Sequence, residues 1–242
     1  SGELPLSVLD ESVRRVLQAI VQSPAMRGRR YSAIDRGYSR AAAHRCAAEG
    51  IVLLKNNGLL PLDPHTSVTF VGEGSRRFNE TGDGSTEVYT DQWTSMYRCA
   101  AEIAGEAHTF FGLQSLAQTD AAVITVQAPG QEGSDRTGLS LPDDQLELLQ
   151  QTITEAKRLH KHVVVVLNVA GPVDVTAFAS DVDAILCVFF PGMEGGRAAA
   201  EILYGLVNPS GKLAESFPQK LAHNPSYLNY PGEGDAAHYR EG

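Results

Sequence analysis

Apolar positions along this chain follow two rhythms, and the alternation between them predicts the architecture. Largely apolar runs occur at Val68–Val71, Ala121–Val126, Val163–Leu167 and Ala184–Phe190. They predict strands, and in Val163–Leu167, the most secure of them, and Ala184–Phe190 the lack of polar alternation predicts burial on both faces. Ala107–Phe111 adds a short strand. Between them lie segments with helical spacing: Thr94–Ile103, Asp143–Leu159 with Leu146, Leu148, Leu149, Ile153 and Ala156, and Gly195–Tyr204. Strands alternating with helices predict an α/β fold, a mainly parallel sheet covered by helices on both faces.

The flanks follow other patterns. Asp10 is placed to cap a helix over Glu11–Val21, with Val13, Val16, Leu17 and Ile20 on one face and Pro24 as its stop. A single short helix cannot bury that stripe alone, so it is expected to pack on another element. Gly28 to Gly37 reads as an irregular connection, and Arg40–Glu49 as an Ala-rich helix closed by Gly50. Ile51–Asn56 then leads into the turn at Asn57-Gly58. After Leu213 prolines become frequent and apolar residues scarce. The pattern predicts an N-terminal helical arm over 1–39, an α/β sandwich over 40–220 and an extended C-terminal strap over 221–242. Both ends read as cut.

Charge narrows the partners. The net charge of −9 and the lack of a long Lys/Arg cluster argue against nucleic acid, with Arg27-Gly28-Arg29-Arg30 read as a solvated linker. No apolar run reaches the ~18–20 residues that cross a bilayer. The opening Ser1-Gly2 leaves the compartment open, with the cytoplasm as the default expectation. Cys46, Cys99 and Cys187 show neither a disulfide framework nor metal-ligand spacing. Cys46 and Cys187 are expected to be small buried apolar groups. No cofactor is expected.

The candidate chemistry centres on Gln131-Glu132-Gly133-Ser134-Asp135-Arg136, between an apolar strand and Leu139-Ser140-Leu141-Pro142, where a helix begins. In an open α/β sheet this position lies at the carboxyl end of a strand, where ligands bind. Taken singly, Glu132 also fits a solvated loop carboxylate, and Asp135-Arg136 a local ion pair of little energetic weight. Gly72-Glu73-Gly74 is a weak echo of a dinucleotide fingerprint. Pro191-Gly192-Met193-Glu194-Gly195-Gly196 is a strand-to-helix turn in which Glu194 argues against an anion site. Trp93, the one tryptophan, fits either a stacking platform or a helix residue packed on the sheet.

In combination and in this order, the segments resemble one family closely. They are Asp10–Leu17, Ala47–Asn56 with Leu60-Pro61-Leu62, Glu132–Arg136 with Leu139–Pro142, Pro191–Gly196, Asn208–Leu213 and Ser216-Phe217-Pro218. Together they resemble the second, sandwich domain of glycoside hydrolase family 3, the β-glucosidase and β-xylosidase family. The resemblance implies retaining hydrolysis of a β-linked oligosaccharide or glucoside, with an aspartate nucleophile on an N-terminal (α/β)8 barrel absent from this sequence. It implies that Glu132 is the general acid/base. Such an acid must hold its proton near neutral pH, which burial against the sugar and the nucleophile favours. Gly82-Asp83-Gly84-Ser85-Thr86 resembles the family's Gly/Ser-rich loop on the aglycone side, but here it is acidic. The implied sugar contacts are Asp83, Ser85, Thr86, Asp135 and Arg136, with no metal. A non-catalytic sugar-binding or docking subunit of the same fold is the alternative. A nucleotide-binding domain would rest on Gly72 and Gly74 alone.

Overall fold

The apolar runs pair into a six-stranded sheet whose two faces separate by residue parity. The computed structural model describes residues 4–30, 33–90, 92–134, 136–229, 234 and 236. Its strands are β1 (Val52–Asn56), β2 (Val68–Val71), β3 (Thr109–Phe111), β4 (Ala121–Ala128), β5 (His162–Val169) and β6 (Ala184–Cys187), in the order β1-β6-β5-β4-β2-β3. All pairings are parallel except β1 with β6. Successive residues of a strand point to opposite faces. Val123, Val164, Val166 and Leu186 thus join one core, and Ile124, Val165, Leu167 and Cys187 the other.

Helices close both faces, as the alternation predicts. α3 (Met96–Ala104), α5 (Gly195–Leu203) and the end of α2 (Arg36–Gly50) complete the first core through Met96, Ala199 and Ala47. α4 (Asp143–Leu159) covers the second with Leu149, Ile153 and Ala156. The α4 boundaries agree with the sequence reading, because acidic residues open it and His160, at φ 55, turns the chain out of it.

The chain divides into two compact units, 1–39 and 40–242. In the first, α1 (Leu6–Gln22) begins earlier than expected: Pro5, with its φ preset, stands at the N-cap, and Asp10 lies inside the helix. Within α1 no residue is buried. α2 likewise starts at Arg36 rather than Arg40, because the Asp35 carboxylate accepts a hydrogen bond from the Tyr38 amide at 3.0 Å. α3 starts at Met96, with Ser95 as its cap, leaving Trp93 in the preceding loop rather than in the helix. β6 ends at Cys187, before the left-handed Phe189 at φ 50. The expected strap opens instead with a short 3₁₀ turn at Leu221–His223, and most of it after 229 lies outside the described residues.

Cysteine burial also departs from expectation. Cys99 and Cys187 are buried, but Cys46 is exposed on α2. Neighbouring alanines mislead here: Ala47 and Ala48 face the core and Cys46 does not. Burial pushes the Cys99 and Cys187 thiols up to about 11. A thiol reagent at about pH 8 should therefore titrate one cysteine of the folded chain quickly and the other two only on unfolding. The folded chain also keeps two protons that unfolded thiols release. Stability should thus fall as pH rises from about 9 toward 11, read as a declining urea midpoint.

Candidate active site

The strand order creates the site. From β2 the chain passes outward to β3, then returns to lay β4 on the other side of β2. At such a reversal the loops leaving the two central strands diverge and open a crevice at their carboxyl ends. The segment after β2, residues 72–95, carries the Gly82–Thr86 loop; the segment after β4, residues 129–142, carries Glu132.

These loops meet. Asp83 and Gln131 form an isolated parallel bridge, and the Asp83 amide donates to the Gly130 carbonyl at 3.3 Å. The Glu132 amide approaches the Asp83 carbonyl at 3.5 Å, and Thr86 Oγ1 donates to the same carbonyl at 3.1 Å. A Cβ on Gly84 would stand 3.4 Å from Glu132 Cβ, about contact distance, and Gly84 has φ +77, a conformation that strains any L side chain. Glu132 and Ser85 are both exposed. Beside this junction lies a cleft of about 650 Å³, with Arg77, Asn79, Glu80, Asp83, Gln127 and Phe190 in its wall. Glu132 stands next to the cleft rather than in its wall.

Beneath the junction, a buried amide holds several backbone segments together. Asn168 lies at the end of β5 with no exposed surface. Its Oδ1 accepts from the Asn79 amide at 2.7 Å and from Gln127 Nε2 at 2.8 Å; its Nδ2 donates to Asn79 O at 3.0 Å and Phe189 O at 2.6 Å. A fully satisfied buried amide fixes geometry, since each lost partner strands a desolvated group. Asn168 thus ties the approach to the Gly82–Thr86 loop to β4 and to the turn bearing Phe190. The sequence reading passed over Asn168 and Gln127. The available signal was an asparagine inside the most apolar strand.

Each expected contact has a definite place. Asp83 and Thr86 adjoin Glu132, and Ser85 sits in the same short turn. Arg136 turns elsewhere: its Nη2 donates to the Pro172 carbonyl at 2.7 Å, and its Nη1 is buried without a partner among the described residues. Asp135 lies outside the described residues. The two weaker motifs have packing roles. A Cβ on Gly72 would meet Thr125 O at 2.6 Å, so its bareness lets the turn close on β4. The buried Glu194 pairs with Arg40 at 2.6 Å, joining α5 to α2. Among the described residues no group of three or more His, Cys, Asp or Glu is placed to hold a metal ion.

An exposed carboxylate displayed at a crevice, next to a polar loop, is a candidate group for acid/base chemistry. Comparison with known proteins bears on whose chemistry that is. Residues 51–242 match the family model described as the glycosyl hydrolase family 3 C-terminal domain. The whole chain aligns with thermostable beta-glucosidase B of Acetivibrio thermocellus at 31% identity, covering 34% of that protein. An exo-alpha-(1->6)-L-arabinopyranosidase of Bifidobacterium longum is 31% identical over 83% of the chain and 30% of its own length. The structure of beta-glucosidase 3B from Thermotoga neapolitana in complex with glycerol superposes with a TM-score of 0.84 at 30% identity, over 96% of this chain and 38% of that one. The chain thus spans about a third of the length of these relatives.

Proposed function

Because this chain belongs to glycoside hydrolase family 3, as its C-terminal domain, we propose that it supplies the general acid/base, Glu132, to a retaining β-glycosidase of β-glucosidase type. The observation that carries the reading is the meeting of the Glu132 turn with the Gly82–Thr86 loop at the switch point of the sheet. The partner group is an aspartate nucleophile on an (α/β)8 barrel domain. Glu132 gives its proton to the glycosidic oxygen as the bond from that oxygen to the anomeric carbon breaks. The aspartate bonds to the same carbon from the opposite face. Glu132, now a carboxylate, takes a proton from water as the water oxygen attacks the anomeric carbon and the aspartate departs. Such a pair works at a separation of about 5–5.5 Å, which the docked barrel has to provide.

Asp83, Ser85, Thr86, Asp135 and Arg136 are assigned to the sugar on the leaving-group side. Asp83 and Thr86 have the best geometric support, Arg136 the least. Glucose is the first candidate for the bound sugar, from the names of the relatives; the arabinopyranosidase among them makes the sugar itself a variable of the barrel. The test is turnover of an aryl β-glucoside by the chain alone and by the chain joined to a family barrel domain. Only the joined protein is expected to be active. Glu132-dependent turnover by the chain alone would contradict the two-domain site. An inactive but sugar-binding joined protein would favour the docking-subunit reading.

A further inference from the structure

A second recess adjoins the cleft and has a different chemical character. It encloses about 400 Å³ and is lined by Arg76, Trp93, Ser95, Tyr97 and Arg98. Its walls are held in place from behind. The Arg76 guanidinium lies 3.6 Å from the centre of the Phe111 ring. Tyr97 packs edge-on against Phe111 and Phe70, with ring centres 5.5 and 5.8 Å apart. Arg98 projects from the first turn of α3 and is exposed; among the described residues its side chain makes no ion pair. Trp93, 38% exposed, forms part of the lining, and the Arg77 guanidinium lies 5.0 Å from its ring centre. Two carboxylates are described against these arginines: Glu73, 3.7 Å from Arg76 and itself 80% exposed, is a weakly held partner, and Glu80, 3.5 Å from Arg77, lies in the wall of the cleft rather than of this recess.

Three arginines around one indole stand out on a chain whose net charge is −9. An indole face accepts a flat or chair-shaped ring by dispersion. Guanidinium groups fixed on an aromatic surface pair with carboxylates at low ordering cost. We propose that this recess binds a six-membered ring bearing a carboxylate, with the ring on Trp93 and the carboxylate between Arg76 and Arg98. Two sources share that chemistry: a uronic acid residue of a saccharide and an aromatic acid. Arg77 lines the cleft and also stacks on Trp93, so the two hollows adjoin. The bound group is thus placed to be the far end of a leaving group. That link, unlike the binding itself, rests on the proposed catalytic reading.

Trp93 is the only tryptophan in the chain, so intrinsic fluorescence reports this recess and needs no catalysis. The 242-residue chain is titrated with glucuronate, benzoate, glucose and acetate at constant ionic strength. A saturable change with glucuronate, benzoate or both is expected, and none with glucose or acetate. Glucuronate alone identifies the saccharide source, and benzoate alone the aromatic one. Arg98→Ala should weaken binding about 10-fold, the effect of losing one charge-assisted contact. Unchanged circular dichroism and urea midpoint would show that Arg98→Ala still folds. Equal responses to glucose, equal responses to acetate, or binding unaffected by Arg98→Ala would each overturn the proposal. So would the absence of any saturable response. All four results leave the assignment of Glu132 untouched.

Discussion

Glu132→Ala, made in the chain joined to a family barrel domain, is expected to lower kcat/KM for an alkyl β-glucoside about 10²–10⁴-fold, the range that positioned proton transfer supplies. The loss should depend on the leaving group. An alkoxide needs the proton as the bond breaks, whereas a dinitrophenolate leaves without one. Its glycosylation step should therefore be almost unaffected, and the slow water step should then accumulate glycosyl-enzyme. Steady-state rates across a series of leaving groups, with a pre-steady-state burst for the activated substrate, make the measurement. A uniform loss across the series would mean that Glu132 binds substrate rather than moving a proton.

Gly196→Ala should be strongly destabilising. The new Cβ would lie 2.1 Å from the Thr94 carbonyl oxygen and 2.7 Å from the Met96 amide nitrogen. Both are backbone atoms at the start of α3, so no side-chain rotation relieves the clash. Separating α3 from α5 would also disturb the cap bond from the Arg197 amide to Thr94 Oγ1, now 3.0 Å long. Overpacking of a close-packed site costs about 1–3 kcal/mol, and a clash with backbone belongs at or above the top of that range. Urea unfolding gives the number. Gly138→Ala, where no atom lies within 4 Å of the added carbon, should stay within about 0.5 kcal/mol of the parent. A small effect at both positions would mean that α3 and α5 do not pack as described.

The central sheet was legible because its strands are buried on both faces, and burial leaves a largely apolar run in the sequence. β1 was not, and Lys55 shows why. A lysine in mid-strand reads as solvent, yet its amine reaches across to donate to the carbonyls of Ala179 and Val182. Its antiparallel pairing with β6 is a contact between distant segments that no local pattern encodes. The helix starts were displaced for a similar reason: Pro5, Asp35 and Ser95 set them through single residues, while the apolar stripe begins later.

The site divides in the same way. Glu132 stood out as a candidate through its place after a strand and the motif around it. That the Gly82–Thr86 loop closes against it follows from the order of β2 and β4 in the sheet, which only the folded chain displays. Arg136 lies next to the motif in sequence but spends a hydrogen bond on Pro172, because the loop carries it toward the turn after β5. Cys46 is the same lesson on a helix: two core alanines beside it do not place it on their face.

The measurement that bears most directly on the role of Glu132 is the response of the Glu132→Ala joined protein to azide, with a dinitrophenyl β-glucoside as substrate. Azide needs no general base, and the space left by the carboxylate admits it to the anomeric carbon of the glycosyl-enzyme. The account predicts a rate that rises with azide and a β-glucosyl azide product, while the parent protein gives glucose at an unchanged rate. Turnover that ignores azide, or a Glu132→Ala protein as active as the parent on every substrate, would contradict it.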